Sequence, residues 1–213
     1  DEGLGAGGFA NALRTLPVVL DMARTIERVN PDAYLINLTN PLGVLIEALA
    51  KYTELKVIGV CDLPGTYKRK VAQVLQQPPE EVEIDYIGLN HMGWIQDVRM
   101  RGRSVHSKLI DKLQAHTDDG FDNALTELFR MVPTRTSSLY FHQDDILKKQ
   151  LSCGRFRAEV LHEAEQQILE LYKNQNLCDI PDLTRERNAV WYDETILPLI
   201  QALESRKDRT LIL

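Results

Sequence analysis

Between residues 9 and 30 the apolar positions Phe9, Leu13, Leu16, Leu20, Ala23, Ile26 and Val29 recur at intervals of three and four. That spacing predicts an amphipathic helix, with Pro17 a candidate kink. Residues 33–38 form a short apolar run closed by Asn40-Pro41, a strand followed by a forced turn. The pattern then predicts a buried helix over 42–52, a strand over 56–60, a helix over 66–77 and a strand over 82–87. Strands alternating with helices imply right-handed βαβ crossovers and a mainly parallel sheet. The expected class is therefore α/β, the back half of a doubly wound, Rossmann-like sheet.

The periodicity changes near Trp94. Residues 94–100 and a short run around Val105 predict a hairpin that turns at Arg101-Gly102-Arg103. Beyond it the text is mostly helical, over 107–115, 121–131, 155–173 and 188–203. On the third of these, Phe156, Val160, Ala164, Ile168 and Leu171 fall on one stripe. A boundary near Gly93 divides residues 1–93, the sheet-forming half of a dinucleotide-binding domain, from residues 94–213, a mostly helical α+β substrate domain. Apolar faces around Leu197, Leu199 and Ile200 suit a partner subunit, and an incomplete core would expose the same residues; a homo-oligomer, dimer or tetramer, is expected.

Composition narrows the classes. The 213 residues are 44% hydrophobic and 26% charged with net charge −6, which suits a globular core and offers no basic stripe for nucleic acid. No apolar run approaches the roughly 18 residues of a membrane span. Cys61, Cys153 and Cys178 are odd in number and irregularly spaced, which fits a reducing, cytoplasmic compartment better than a disulfide framework. Both ends read as cut from a longer chain, since Asp1-Glu2-Gly3 opens without Met and Leu211-Ile212-Leu213 closes on the start of a strand.

Candidate chemistry sits where strands end. Val57-Ile58-Gly59-Val60-Cys61-Asp62 and Ile84-Asp85-Tyr86-Ile87-Gly88-Leu89-Asn90-His91 each stop on a metal-ligating side chain. In open α/β sheets ligands bind outside the carboxyl ends of the strands. A thiolate and an imidazole delivered there point to a divalent transition metal with open positions, and the two side chains should converge within a few ångströms of one point. Asn37-Leu38-Thr39-Asn40-Pro41 ends a third strand, and its amides suit sugar hydroxyls or a nicotinamide carboxamide. Gly3-Leu4-Gly5-Ala6-Gly7-Gly8 matches G-x-G-x-x-G literally, but no strand precedes it, so it reads as the glycine-rich opening of a helix. His142-Gln143-Asp144-Asp145 reads as the start of another helix with an aspartate as N-cap rather than as a second metal cluster.

Taken in order, Gly7-Gly8-Phe9, Leu13-Arg14-Thr15-Leu16-Pro17, Asn37-Leu38-Thr39-Asn40-Pro41, Val60-Cys61-Asp62-Leu63-Pro64 and Gly88-Leu89-Asn90-His91-Met92 resemble the family-4 glycosidases. Arg157-Ala158-Glu159-Val160 and Glu170-Leu171-Tyr172-Lys173 extend the likeness into the helical part. That family comprises NAD- and manganese-dependent enzymes, among them 6-phospho-β-glucosidases and 6-phospho-α-glucosidases, which stand outside the two-carboxylate scheme of most glycosidases. The resemblance implies oxidation of the sugar at C3, loss of the C2 proton, departure of the glycosidic oxygen, addition of water and reduction. It implies NAD and Mn²⁺ as cofactors and a phosphorylated sugar as substrate. Cys61 and His91 correspond to metal ligands, Asn40 and Asn90 to substrate contacts, Asn37 and Asn40 to the cofactor side, and Arg157 to the grip on the 6-phosphate. Asp62 falls where the family's 6-phospho-α-glucosidases carry an aspartate as acid and its 6-phospho-β-glucosidases usually an asparagine. Other stretches look more like the β-type enzymes, so the resemblance leaves the anomer open. Glu2 falls at an acidic position of the family.

One position departs from the pattern. The family's base is a tyrosine in Pro-x-x-Tyr-Leu-x-Tyr-Tyr, whereas this chain reads Pro133-Thr134-Arg135-Thr136-Ser137-Ser138-Leu139-Tyr140-Phe141-His142. Thr136 occupies the base position, and a threonine hydroxyl is far too weak an acid to stand in for a tyrosinate. Tyr140 and His142 are the candidate replacements. The alternatives are a catalytically impaired sugar-phosphate-binding relative, or an NAD-dependent 2-hydroxy-acid dehydrogenase on the same sheet topology.

Overall fold

The computed structural model of the chain describes residues 3–115, 120–187 and 192–205. Helix α1 (Gly5–Val29) opens inside the glycine-rich segment, with Gly8 buried in its first turns. Strand β1 (Tyr34–Asn37), helix α2 (Leu42–Tyr52), strand β2 (Lys56–Gly59) and helix α3 (Leu63–Leu75) follow as the spacing predicts. β1 and β2 pair in parallel, with Tyr34 opposite Lys56 and Asn37 opposite Gly59. Ala23 of α1 and Leu49 of α2 bury against Leu55, Leu35 and Val57, the first of two cores.

Strand β3 (Val82–Gly88) departs from expectation. Rather than extending the parallel pair, it runs antiparallel to β4 (Gly93–Met100). β4 also pairs with β5 (Arg103–Ser104) and β6 (Val132–Pro133). The reason lies in the connection. Only Leu89 to Met92 separate β3 from β4, and Leu89 and Met92 exchange backbone hydrogen bonds of 3.0 and 3.1 Å, leaving Asn90-His91 as a two-residue hairpin loop. A parallel neighbour needs a crossover of a dozen residues or more. The second core lies against this sheet: Val71 and Leu75 of α3, Val82, Ile95, Val98 and Val132, with Leu109, Ile110 and Leu113 of α4 (His106–Ala115). Helix α3 thus leaves the seam between the two cores and joins the second.

At the predicted second hairpin, Arg101 and Gly102 take φ of 51° and 73°, the paired left-handed geometry of a tight two-residue turn. Asp97 ties this hairpin by accepting hydrogen bonds from Ser104 Oγ (2.6 Å), the Val98 amide (2.9 Å) and Arg99 Nη1 (3.1 Å). The Ser104 bond, followed by the amide and Arg99, holds the carboxyl below the usual aspartate value. A depressed folded-state value contributes stability that is complete above the ordinary aspartate range and is lost as pH falls through the lowered value. The protection factor of the Val105 amide, whose N–H bonds to Val98 O, should therefore fall on acidification, and Asp97→Asn should abolish that fall.

The remaining elements are α5 (Asn123–Phe129), α6 (Arg135–Phe141), α7 (Gln143–Ser152), α8 (Arg157–Leu171) and α9 (Leu197–Ser205). His142, not an aspartate, is the N-cap of α7, and Asp144 and Asp145 lie in its first turn, where negative charge suits the helix dipole. The expected apolar stripe of α8 buries Ala164 but leaves Phe156 56% exposed, because the element seated against α8 is the short 3₁₀ turn over Asp182–Arg187. In α9, Leu199 is buried while Leu197 and Ile200 are exposed. The start of the helix expected over 188–203 lies outside the described residues.

Candidate metal centre

Cys61 follows β2 by two residues, where the Val60 amide donates to Asn37 O at 3.0 Å and locks the ends of β1 and β2 together. The next residue, Asp62, is the N-cap of α3, and Leu63-Pro64 begin the helix. A thiol here is therefore pinned between a strand end and a helix start, and Cys61 is buried. His91 arrives from the other sheet on the β3–β4 loop. Its Nε2 lies 3.5 Å from Cys61 Sγ. The expectation that the two converge is met, although their strands belong to separate sheets rather than to one edge. Asp62 Oδ1 stands 4.0 Å from the same sulfur.

His91 takes φ of 112°. At the second position of a two-residue loop that conformation favours glycine or asparagine, so a histidine there must be held. Two glycines and three side chains hold it. Gly88 and Gly93 face each other across the loop, and a Cβ on either would run into backbone. The Tyr86 ring lies over Gly93, and its hydroxyl donates to Leu89 O at 3.0 Å. Burial holds the Tyr86 phenol above its ordinary value and the neighbouring Cys61 adds to the rise, so the phenol remains a donor. Thr134 and Ser137, both fully buried at the start of α6, complete the hold.

Asn40 joins the cis peptide to Pro41. Its Oδ1 accepts from the Leu42 amide at 3.3 Å and its carbonyl accepts from Asn11 Nδ2 at 3.0 Å. Asn37 is buried and donates its amide to Thr39 O at 3.0 Å, so that donor serves the loop itself. Asn90 sits beside His91 in the turn. Thr136 is the second residue of α6, and Tyr140, 61% exposed, stacks edge-on against Phe141 at 5.5 Å. His142 Nε2 is engaged at 2.8 Å by Asp122 Oδ2. Arg157 is the exposed first residue of α8. Glu2 lies outside the described residues. A cavity of about 540 Å³ opens beside α6, lined by Tyr67, Lys70, Asn123, Arg135 and Ser138 among others. Neither Cys61 nor His91 lines it.

Sequence reasoning missed Thr134, Ser137, Tyr86 and Asn11. The signal for the first two was polar residues directly after an apolar Val132-Pro133. For the hairpin it was Gly88 and Gly93 bracketing four residues.

No third ligand joins Cys61 and His91: among the described residues no group of three or more His, Cys, Asp or Glu is placed to hold a metal ion, Asp62 included. The pair is a half-site. Nor, among the described residues, is any helix long and apolar enough to cross a membrane.

Comparison with known proteins gives this geometry a context. The model of the family 4 glycosyl hydrolases matches residues 1–77, and that of their C-terminal domain matches residues 86–213. The 6-phospho-beta-glucosidase of Escherichia coli (strain K12) is 34% identical over 218 residues, covering 95% of this chain and 48% of the relative. The 6-phospho-beta-glucosidase of Thermotoga maritima, solved with manganese, NAD⁺ and glucose-6-phosphate, superposes with a TM-score of 0.79 at 30% identity, covering 96% of this chain and 49% of that one. The chain spans about half the length of the curated relatives it matches. Two family models in chain order and a shared fold over nearly its whole length place this chain among the family 4 glycosyl hydrolases.

Proposed function

We propose that this chain works in a glycosidase that cleaves 6-phosphoglucosides with the help of NAD⁺ and a divalent metal, held through Cys61 and His91. The observation that carries the reading is the 3.5 Å between Sγ and Nε2. At that separation both atoms could contact a single divalent cation. Two protein ligands leave positions for two sugar oxygens and water. Bound there, a divalent cation supplies Lewis acidity to charge developing on those oxygens.

The chain's own groups have separate tasks. Asp62, beside the sulfur, carries the proton for the departing glycosidic oxygen. Asn40, after β1, and Asn90, after β3, orient sugar hydroxyls, with Asn40 and the buried Asn37 on the nicotinamide side. Arg157, with its planar fork, takes the 6-phosphate. The thiol at position 61 favours this reading over a 2-hydroxy-acid dehydrogenase, which has no use for a cysteine ligand. Manganese and NAD⁺ are the cofactors in the Thermotoga maritima relative. By that likeness they are the ones proposed here.

A second reading rests on Thr136. With a threonine at the tyrosine position of the family, the chain binds the sugar phosphate but removes the C2 proton poorly. One experiment separates the two: p-nitrophenyl 6-phospho-β-glucoside with NAD⁺ and Mn²⁺, followed by nitrophenol release and by deuterium uptake at C2 from heavy water. Turnover with uptake supports the hydrolase. Binding without turnover supports the impaired relative, and Thr136→Tyr should then raise the rate by about 10²–10⁴, the usual contribution of a positioned base. Turnover that survives Cys61→Ala unchanged would sink the metal assignment.

A further inference from the structure

We propose that Thr134 is a positioning residue for the metal centre: its hydroxyl, backed by Ser137, clamps the His91 turn in the conformation that presents the imidazole to Cys61. The inference rests on the reading of Cys61 and His91 as metal ligands and extends it to a residue that touches neither the metal nor the substrate.

The hydrogen bonds form a closed set. Thr134 Oγ1 donates to His91 O at 2.7 Å and accepts from the Gly93 amide at 3.1 Å. The Thr134 amide donates to Gly93 O at 2.9 Å, and Ser137 Oγ donates to the same oxygen at 3.0 Å. One hydroxyl thus bridges residues 91 and 93 of the turn, using its single donor on the histidine's own carbonyl. Fixing that carbonyl fixes the histidine's ψ, at a residue whose φ of 112° a non-glycine side chain does not hold unaided. Tyr86 adds a further tie to the turn through Leu89 O. Cut the bridge, and the His91–Met92 peptide is free to rotate toward an ordinary turn, carrying the imidazole away from the sulfur. Thr134 also directly precedes α6, so the same bonds fix the distance between His91 and the segment that carries Thr136.

Residues that orient metal ligands without binding metal are each worth about 10–100-fold in affinity. The test is a Co²⁺ titration of the full chain, read from the thiolate-to-cobalt absorption band, with Cys61→Ala as the control for the band and a thermal melt of every variant. Thr134→Ser keeps the hydroxyl and should bind as the unsubstituted chain does. Thr134→Val keeps the shape without the hydroxyl and should bind about 10–100-fold more weakly, with a shifted band. A folded Thr134→Val that binds within about twofold of the unsubstituted chain overturns the clamp and leaves the metal reading standing. If Thr134→Val does not fold, Ser137→Ala decides: a loss of about threefold or more supports the clamp, and unchanged affinity overturns it. No band in the unsubstituted chain overturns the clamp together with the metal reading.

Discussion

Alanine at Cys61 should remove saturable Mn²⁺ binding from this chain, and glycine at His91 should do the same without loss of thermal stability. The first half follows from the size of the site. On the proposed reading the two side chains, 3.5 Å apart, would each supply half of the coordination the chain offers. Since outer partners alone are worth 10–100-fold, losing a direct ligand should cost more than about a hundredfold. The second half follows from backbone geometry. His91 sits at φ 112°, where glycine carries no steric cost. Relief of that strain offsets the extra freedom glycine gives the unfolded chain. Calorimetric titration of both variants, beside their melting curves, checks the pair of statements. A His91→Gly variant that melts well below the parent would mean that the imidazole, not the metal, is what the turn is built around.

Gly93→Ala should be strongly destabilising. A Cβ there would stand 2.2 Å from Tyr86 Cζ and the phenol oxygen, and 2.7 Å from the Ile87 carbonyl oxygen. Tyr86 could swing aside only by giving up its bond to Leu89 O, and the Ile87 carbonyl belongs to β3 and cannot retreat. Overpacking of this kind costs about 3 kcal/mol, the upper part of the usual range. For a chain of this size that lowers Tm by roughly 6–12 °C. The same variant should lose metal affinity, because Gly93 N–H and O are the atoms that meet Thr134 and Ser137. A melting point within about 2 °C of the parent would show that Tyr86 is not committed to its place over Gly93.

How much of this the chain's text disclosed depended on the range over which the deciding forces act. The helices over 42–52 and 9–30 were legible because burial against Leu35, Leu55 and Val57 imposes its period directly on their sequence. Convergence of Cys61 and His91 was legible as two strand ends, since ligand edges follow from chain direction. The sheet carrying His91 was not. The apolar run of 82–87 suits a parallel or an antiparallel strand equally, and the choice is made by the two-residue loop Asn90-His91, whose histidine hides a turn normally marked by glycine. Thr134 escaped for a different reason. Its partners lie 41 and 43 residues away, a separation at which no local pattern records a hydrogen bond. The aspartate expected to cap α7 lost its place to His142, which the Asp122 carboxylate anchors at that helix end.

The seam between the two cores carries a consequence of its own. Cys61 ends a strand whose Val57 belongs to the cluster of α1 and α2, while His91 rides on a hairpin rooted in the cluster of α3 and α4. On the proposed reading an ion held by both would be a crosslink between these two bodies of hydrophobic packing. Its occupancy then acts on the whole chain through mass action, by RT ln(1 + [L]/Kd), and not only on the few atoms it touches. Loaded, the two clusters should melt as one cooperative unit; stripped by a chelator, each is released to follow its own stability. The ion's affinity is in that sense a gauge of how well the two clusters are registered, and any change that slides one across the other will be read first as a weaker hold on the metal.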